Sequence, residues 1–189
     1  MNEKDIKNIS KFLSYILRHS PETINLNLDE NGWAIVDELI EKANKNRNEF
    51  HKELDFEIIN QVVETNDKKR FAYNEDKTKI RASQGHSISV DLELKPVVPP
   101  DYLYHGTVAK FLESIKTNGI QKISRQHVHL SKDRETAVKV GSRRGAPIIL
   151  SIHTSQMHQD GFVFYQSENG VWLTDEVPSK YIEFKDVKD

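Results

Sequence analysis

Cysteine is missing from all 189 positions of the sequence. Its absence excludes disulfide bonds, thiolate nucleophiles and cysteine-based zinc sites, and it fits a reducing compartment. Side-chain chemistry therefore has to come from the eight histidines and from the charged residues.

Long apolar segments and targeting signals are missing too. No apolar run reaches the length of a membrane span. The N-terminal residues MNEKDIKNIS show neither the basic-then-apolar pattern of a secretion signal nor a lipidation motif. We therefore expect a cytoplasmic protein with no membrane partner. The 37% hydrophobic and 30% charged residues are typical of a globular chain with one large domain or two small ones.

Neither sign of charge is in large excess. The 27 Lys and Arg residues face 29 Asp and Glu residues, so the net charge is −2. The chain as a whole therefore lacks the basic character that is typical of nucleic-acid-binding proteins. Local basic clusters occur at residues 68–70, 77–81 and 143–144. Taken on composition alone, these clusters are more typical of a solvated surface than of a polyanion site.

The common nucleotide, hydrolase and metal motifs are also absent. The chain has no Gly-x-Gly-x-x-Gly, no Gly-x4-Gly-Lys-Ser/Thr and no Gly-x-Ser-x-Gly. Its close histidine pairs are His127 with His129 and His153 with His158, and no His-Glu-x-x-His occurs. We expect no metal site, and we do not expect a Rossmann or P-loop nucleotide site.

The first half of the chain predicts three helices followed by a β-hairpin. Apolar residues recur at three- and four-residue spacing over residues 5–18, and helices are also predicted over 37–46 and 55–65. Residues 70–73 and 79–82 are predicted to form two short strands joined by a polar loop. This order is typical of the winged helix, which commonly holds nucleic acid but also serves structural and protein-binding roles.

The segment Lys95-Pro-Val-Val-Pro-Pro100 cannot form a regular helix or a central strand. We therefore predict a first lobe over residues 1–93, a linker over 94–101 and a second lobe over 102–189. In the second lobe, one helix is predicted after Thr107, as its N-cap, and another over residues 133–141. Strands are predicted over residues 102–105, 128–131, 147–153, 162–165, 170–174 and 181–184.

The stretch Arg81-Ala-Ser-Gln-Gly-His-Ser87 concentrates polar groups between these two halves. Gly85 can adopt backbone angles that are closed to other residues, so the surrounding side chains and amide groups can converge on a small anion such as a phosphate. By itself, the stretch is more typical of a polar hairpin turn. Other cations are predicted at the ends of elements: Arg18, His19, Arg70, His105 and Arg143. The dipole of the first helix alone explains a cation in its last turn.

Seven blocks of sequence carry a resemblance to a known family. They are SKFLSYILRHSP (10–21), DKKRF (67–71), IRASQGHS (80–87), LYHGT (103–107), VHLS (128–131), VGSRRGAP (140–147) and NGVWLT (169–174). Together, in this order and over nearly the whole chain, they resemble the KptA-type RNA 2′-phosphotransferases. The resemblance implies an α+β protein with an N-terminal winged-helix lobe and a β-rich C-terminal lobe like that of ADP-ribosyltransferases.

The resemblance also implies a reaction and its partners. NAD is the co-substrate, no metal is involved, and the RNA carries an internal 2′-phosphate, as a spliced tRNA does. First the 2′-phosphate attacks the anomeric carbon of the nicotinamide ribose, and nicotinamide leaves. The neighbouring ribose hydroxyl then attacks the phosphorus, which releases 2′-hydroxyl RNA and a cyclic phosphate of ADP-ribose. We expect the enzyme to be a monomer.

The resemblance further implies an essential set of three arginines and one histidine. These residues match Arg18, His19, Arg70 and Arg143. We expect the arginines to clamp phosphate and His19 to contact the transferring phosphate, or to transfer a proton, in the second step. Arg144 is the alternative to Arg143, which we favour because it keeps the Gly-x-Arg-x-Gly spacing.

Two further sets of residues are implied. The set expected to line the RNA site consists of Arg81, Gln84, His86 and Ser87. The set expected to hold NAD consists of Tyr104, His105, Gly106, Thr107, His129, Leu130 and Ser131. Residues 44–53 look longer than the family pattern, and we expect them to extend a surface loop.

Two other functions stay open from the sequence. The chain could be an ADP-ribosyltransferase that caps a nucleic-acid phosphate end and stops after the first step, or a winged-helix binding module without activity. The joint presence of the three arginines and His19 argues against the module, which would not need a set of residues for phosphate transfer.

Overall fold

The computed structural model describes residues 1–46 and 53–184. The chain divides into two compact units, Met1–Glu93 and Leu94–Asp189. Helices and small antiparallel sheets occur in both units, as the sequence predicts. Most of the expected loop extension falls on residues 47–52, outside the described residues. None of the described helices combines the length and the apolar character that a membrane span needs.

Within residues 1–46 and 53–93, the first unit has three helices: α1 (Glu3–Arg18), α2 (Val36–Lys45) and α3 (Phe56–Glu64). The first turns of α1 and α3 are stabilised by side chains that accept backbone N–H groups: Asn2 Oδ1 accepts from Asp5 N–H at 2.9 Å, and Asp55 Oδ1 from Ile58 N–H at 2.8 Å. The apolar stripe that predicts α1 lies in the core, where Leu13, Ile16 and Leu17 are fully buried. The three predicted helices of this half are thus confirmed.

The first unit also contains an antiparallel sheet formed by β1 (Ala34–Ile35), β2 (Phe71–Tyr73) and β3 (Lys79–Ala82). The strand order is β1-β3-β2, and in the predicted hairpin Phe71 pairs with Ala82 and Ala72 with Arg81. Because alternate side chains of a strand point to opposite faces, this register places Phe71 and Ala82 in the core of the unit.

Up to residue 184, where the described residues end, the second unit contains three small antiparallel sheets. Its strands are β4 (Tyr102–Thr107), β5 (Ile120–Gln121), β6 (Val128–Leu130), β7 (Ile148–His153), β8 (Phe164–Gln166), β9 (Trp172–Thr174), β10 (Glu176–Val177) and β11 (Ile182–Glu183). The strand orders are β11-β7-β4, β6-β9-β8 and β10-β5. The core of the unit lies among these sheets and includes the fully buried Leu103, Leu150 and Phe164.

The helices of the second unit are α4 (Leu112–Asn118), α5 (Arg134–Gly141) and α6 (Thr154–Gln159). The prediction that Thr107 caps a helix is wrong. Thr107 is the last residue of β4 and is 6% exposed, and a 3₁₀ turn at Ala109–Phe111 precedes α4. The helix α6 was not predicted, because its six residues, TSQMHQ, contain a single large apolar side chain and so show no helical period.

Candidate functional site

In the first unit, the C-terminal end of α1 meets the stretch of residues 81–87. Arg18 is the last residue of α1, and His19 is its C-cap. The backbone N–H of Ser87 donates to the carbonyl of Arg18 at 2.9 Å, and Ser87 Oγ lies 2.9 Å from His19 Nδ1. Because His19 and Ser87 are both exposed, this contact lies at the surface of the unit.

The same stretch also holds the backbone of Arg70, just before β2. Ser83 N–H donates to the carbonyl of Arg70 at 2.8 Å, and Ser83 Oγ donates to the carbonyl of Lys69 at 3.0 Å. Asn66 Oδ1 accepts from Arg70 N–H at 3.3 Å, while Asn66 Nδ2 donates to Ser10 Oγ on α1 at 3.1 Å. The three sequence blocks that carry Arg18, Arg70 and residues 81–87 are thus joined by hydrogen bonds.

Arg81 is almost buried, with 9% of its surface exposed, and its guanidinium carbon lies 4.4 Å from the ring centroid of Trp33. The indole follows a turn in which Asp29 Oδ1 accepts from Asn31 N–H at 3.0 Å and from Trp33 N–H at 2.9 Å. A cation stacked on an aromatic face is attracted by the ring quadrupole. Trp33 therefore supports Arg81, a role that the sequence analysis missed and for which an aromatic residue after a polar turn is the only signal.

His86 is 1% exposed and lies next to Gly85, whose φ of 85° is in the predicted left-handed region. Burial and then the positive charges of Arg18, His19 and Arg81 lower the pKa of this imidazole to about 4. Within the described part of the chain, neither of its ring nitrogens has a hydrogen-bond partner. The imidazole is therefore neutral at pH 7, and its burial favours a supporting role beneath the exposed Ser87.

Gln84, the remaining residue of the predicted RNA-lining set, is half-buried. Its Oε1 atom is buried and has no hydrogen-bond partner among the described residues. In the stretch of residues 81–87, the hydroxyl of Ser87 is therefore exposed, whereas the Arg81 guanidinium, the Gln84 amide oxygen and the neutral His86 imidazole are covered.

In the second unit, the predicted NAD residues meet where β4 approaches β6. Tyr104 and Ser131 exchange two backbone hydrogen bonds, of 2.9 and 2.8 Å, which join the two sheets. His105 Nδ1 lies 3.3 Å from the carbonyl oxygen of His129, so the ring donates from this nitrogen. Four of the seven predicted NAD residues are therefore neighbours.

Close packing of two glycines brings a pair of arginines to the end of β4. A Cβ atom on Gly106 would lie 2.0 Å from the carbonyl oxygen of Ala137 and 2.9 Å from the backbone nitrogen of Gly141. Only glycine permits β4 and α5 to approach this closely. The 3₁₀ turn that follows α5 carries Arg143 and Arg144, which are both exposed.

Arg125 joins these arginines, although the sequence analysis did not single it out. Its Nη1 donates to His129 Nδ1 at 3.4 Å. Partial burial and the charges of Arg144 and Arg143 lower the pKa of its guanidinium. The pKa of His105 is also lowered, chiefly by burial and further by the charges of Arg144 and Arg125, while its hydrogen bond to the carbonyl of His129 acts in the opposite direction. The only sequence signal for Arg125 is its position four residues before His129.

Other predicted NAD residues are placed for packing. Leu130 is 1% exposed and Thr107 is 6% exposed, so their side chains face the interior and only their backbones could meet a ligand. Tyr104 is half-buried, and the guanidinium carbon of Arg134 lies 5.8 Å from its ring centroid. Arg134 Nη1 also donates to Ser151 Oγ at 3.2 Å, so Arg134 is a further residue at this edge that the sequence analysis missed.

Both units thus present groups of cationic or cation-facing side chains. The first basic cluster is Arg18, His19, Arg81 and His86, and the second is His105, Arg125, Arg143 and Arg144. Guanidinium groups are suited to phosphate oxygens. Over residues 1–46 and 53–184, no group of three or more His, Asp or Glu side chains could hold a metal ion.

The family profile described as "RNA 2'-phosphotransferase, Tpt1 / KptA family" matches residues 3–176, nearly the whole chain. The chain belongs to this family. A Flavobacterium johnsoniae protein named "Probable RNA 2'-phosphotransferase" is 69% identical over 185 residues, which cover 98% of this chain and 100% of that protein. A protein of the same name from Fusobacterium nucleatum is 60% identical over 96% of this chain and 99% of its own length. Another, from Acaryochloris marina, is 55% identical over 95% of this chain and 97% of its own length.

Membership of the RNA 2′-phosphotransferase family confirms the resemblance that the seven blocks carry. The matched range contains both basic clusters and every residue of the three predicted sets. The assignment of these residues to catalysis, RNA or NAD stays a prediction.

Proposed function

We propose that this member of the RNA 2′-phosphotransferase family transfers an internal RNA 2′-phosphate to NAD. The products are nicotinamide, 2′-hydroxyl RNA and a cyclic phosphate of ADP-ribose, and the intermediate is an ADP-ribosylated RNA phosphate. The observation that carries the proposal is that Ser87 bonds the backbone carbonyl of Arg18 and contacts the ring of His19, while the charges of Arg18 and Arg81 act on the neutral His86. This arrangement suits a phosphate dianion.

The first unit is proposed to be a winged helix that binds the RNA, in keeping with its three helices and its β1-β3-β2 sheet. Arg18 and Arg70 would clamp the 2′-phosphate. Fixed guanidinium charge is the main requirement, because a phosphate monoester is largely dianionic at pH 7 and attacks without a general base. A tRNA-like spliced RNA is the proposed substrate, and the proposed active form is a monomer.

The second unit is proposed to have an ADP-ribosyltransferase-like fold that binds NAD along β4 and β6. His105, whose Nδ1 donates to the carbonyl of His129, presents its other nitrogen as an acceptor for a ribose hydroxyl or an amide. Arg143, with Arg125 beside it, would hold negative charge on the phosphates. His19 would contact the transferring phosphate in the second step, in which a ribose hydroxyl loses its proton and the RNA 2′-oxygen gains one.

The test is incubation with NAD and an oligonucleotide that carries one internal 2′-phosphate, with both products followed by mass. Loss of the phosphate from the RNA together with release of the cyclic phosphate supports the proposal. A stable increase in RNA mass would assign the chain to ADP-ribosylation that caps a phosphate and stops after the first step. Unchanged RNA would favour a binding module without activity. An oligonucleotide with a 2′-hydroxyl at the same position is the matched control, and Arg18→Ala should remove most turnover.

A further inference from the structure

The side chain of Ser87 connects His19 to the stretch of residues 81–87, across 68 positions of sequence. The hydroxyl of Ser87 lies 2.9 Å from His19 Nδ1. The backbone of Ser87 is held separately, since its N–H donates to the carbonyl of Arg18 at 2.9 Å. The serine is therefore fixed on the end of α1, and its hydroxyl meets one defined nitrogen of the ring.

We infer that Ser87 is a positioning residue for His19 rather than only part of the RNA-lining surface. The inference rests on the proposed function, in which His19 meets the transferring phosphate. The contact with Ser87 is made at Nδ1, and we assign Nε2 as the nitrogen that the phosphate or the leaving 2′-oxygen would meet. The hydrogen bond of one ring nitrogen sets the chemistry of the other.

A hydroxyl is suited to this task because it both donates and accepts. When the proton of the neutral ring is on Nε2, Ser87 Oγ–H donates to Nδ1. When the ring is protonated, Nδ1–H donates to Ser87 Oγ. The hydroxyl rotates between these arrangements without moving the ring, so His19 can gain or lose a proton at Nε2 and keep its orientation. An acceptor such as a carboxylate would hold the Nδ1 proton in place.

The backbone on either side of Ser87 packs against the rest of the unit. His86 precedes Ser87 and is 1% exposed, so it anchors the stretch in the interior of the unit. A Cβ atom on Gly32 would lie 3.4 Å from Val90 and 3.7 Å from His86 Nε2, which shows that the turn before Trp33 packs against the same stretch. Packing on the covered side and the hydrogen bond from Ser87 N–H to the carbonyl of Arg18 thus hold the backbone that carries the hydroxyl.

The experiment compares Ser87→Thr with Ser87→Val, two variants of nearly the same shape that differ by the hydroxyl. We expect Ser87→Val to slow the second step about 10-fold to 100-fold, so that ADP-ribosylated RNA accumulates, while KM for the RNA changes little. Ser87→Thr should restore the second step to within a few-fold of the wild type. Ser89→Ala, at an exposed position two residues away, is the control.

A second measurement does not depend on turnover. Long-range proton–nitrogen NMR spectra of the free protein report which nitrogen of His19 carries the proton. The ring signals should be the same in the wild type and Ser87→Thr, and should move towards those of a solvated histidine in Ser87→Val. Unchanged ring signals in Ser87→Val, or changed signals with a second step at full speed, would overturn the inference. An inactive wild type with the expected NMR shifts would instead count against the proposed function alone.

Discussion

At the residue scale, His86 connects folding of the first unit to pH. Its pKa is lowered from 6.5 to about 4 by burial and by positive neighbours. Between these values the unfolded chain binds a proton that the folded chain does not, so stability is fully present above pH 6.5 and is lost as the pH falls towards 4. From pH 7 to pH 5, we expect His86 to reduce the free energy of unfolding by about 2 kcal/mol.

Urea unfolding at pH 7 and pH 5 measures this effect. The fall in unfolding free energy between the two pH values should be smaller in His86→Gln than in the wild type by about that amount, even if the variant is less stable at both. His158→Gln, at an exposed position, is the control. An equal fall in the wild type and His86→Gln would show that the imidazole does not titrate as inferred.

Arg143 and Arg144 stand next to each other in one turn, and a pair of variants separates their roles. Both side chains are exposed, but the guanidinium carbon of Arg144 lies 5.9 Å from the ring centroid of Phe111. We expect Arg143→Ala to lower the single-turnover rate about 100-fold or more, as the loss of a charge-stabilising group does. Arg144→Ala should stay within about 10-fold of the wild type, since its packing and its charge support the cluster indirectly. A reversed result would assign the catalytic role to Arg144.

At the scale of elements, the contact between β4 and α5 depends on Gly106. Because an added Cβ would lie 2.0 Å from the carbonyl oxygen of Ala137, Gly106→Ala has to push the strand and the helix apart. We expect the free energy of unfolding to fall by about 3 kcal/mol or more, at the upper end of the effects of overpacking. The loss would be measured by chemical unfolding of the second unit.

Gly170→Ala is the control for that prediction. No atom lies within 4 Å of a Cβ at Gly170, so only its φ of 79° opposes a side chain. The expected cost is about 1 to 2 kcal/mol. If both variants lost the same stability, steric contact between β4 and α5 would not be what requires glycine at position 106.

Elements with a strong local signal could be predicted from the sequence, and contacts between distant segments could not. The apolar stripe of α1 and the turn signals of the β2–β3 hairpin are local, and both elements form where they were expected. The helix α6 is too short to show a period, and Thr107 is drawn into β4 by pairing with Ile148 on a strand about 40 residues later. Nothing local to His19 points to Ser87.

The candidate site shows the same division. Sequence blocks identified the residues at the end of α1 and in the 81–87 stretch, and the family match confirms the resemblance on which they rest. Burial was not visible in the blocks: Arg81 and His86 were expected to face RNA, yet they are 9% and 1% exposed. Trp33 was missed because its partner Arg81 is remote in sequence. Arg125 was missed because it contacts His129 from the loop before β6, where no local pattern marks it.

At the scale of the whole molecule, the apolar residues form two separate cores. All buried members of one core lie between Ile9 and Ala82, and those of the other lie between Leu103 and Ile182. The proline-rich segment of residues 95–100 lies at the start of the second unit and contributes no member to either core. A change in one core should therefore act first on its own unit.

Truncation of one leucine in each core tests this independence. Leu13 and Leu150 are both fully buried, so Leu13→Ala and Leu150→Ala should each cost about 2 to 5 kcal/mol. Hydrogen exchange reports where that cost appears. In Leu150→Ala, exchange should accelerate in β4 and β7 while the amides of α1 keep their protection, and Leu13→Ala should give the opposite pattern. Equal acceleration in both units of either variant would mean that the two cores unfold as one cooperative structure.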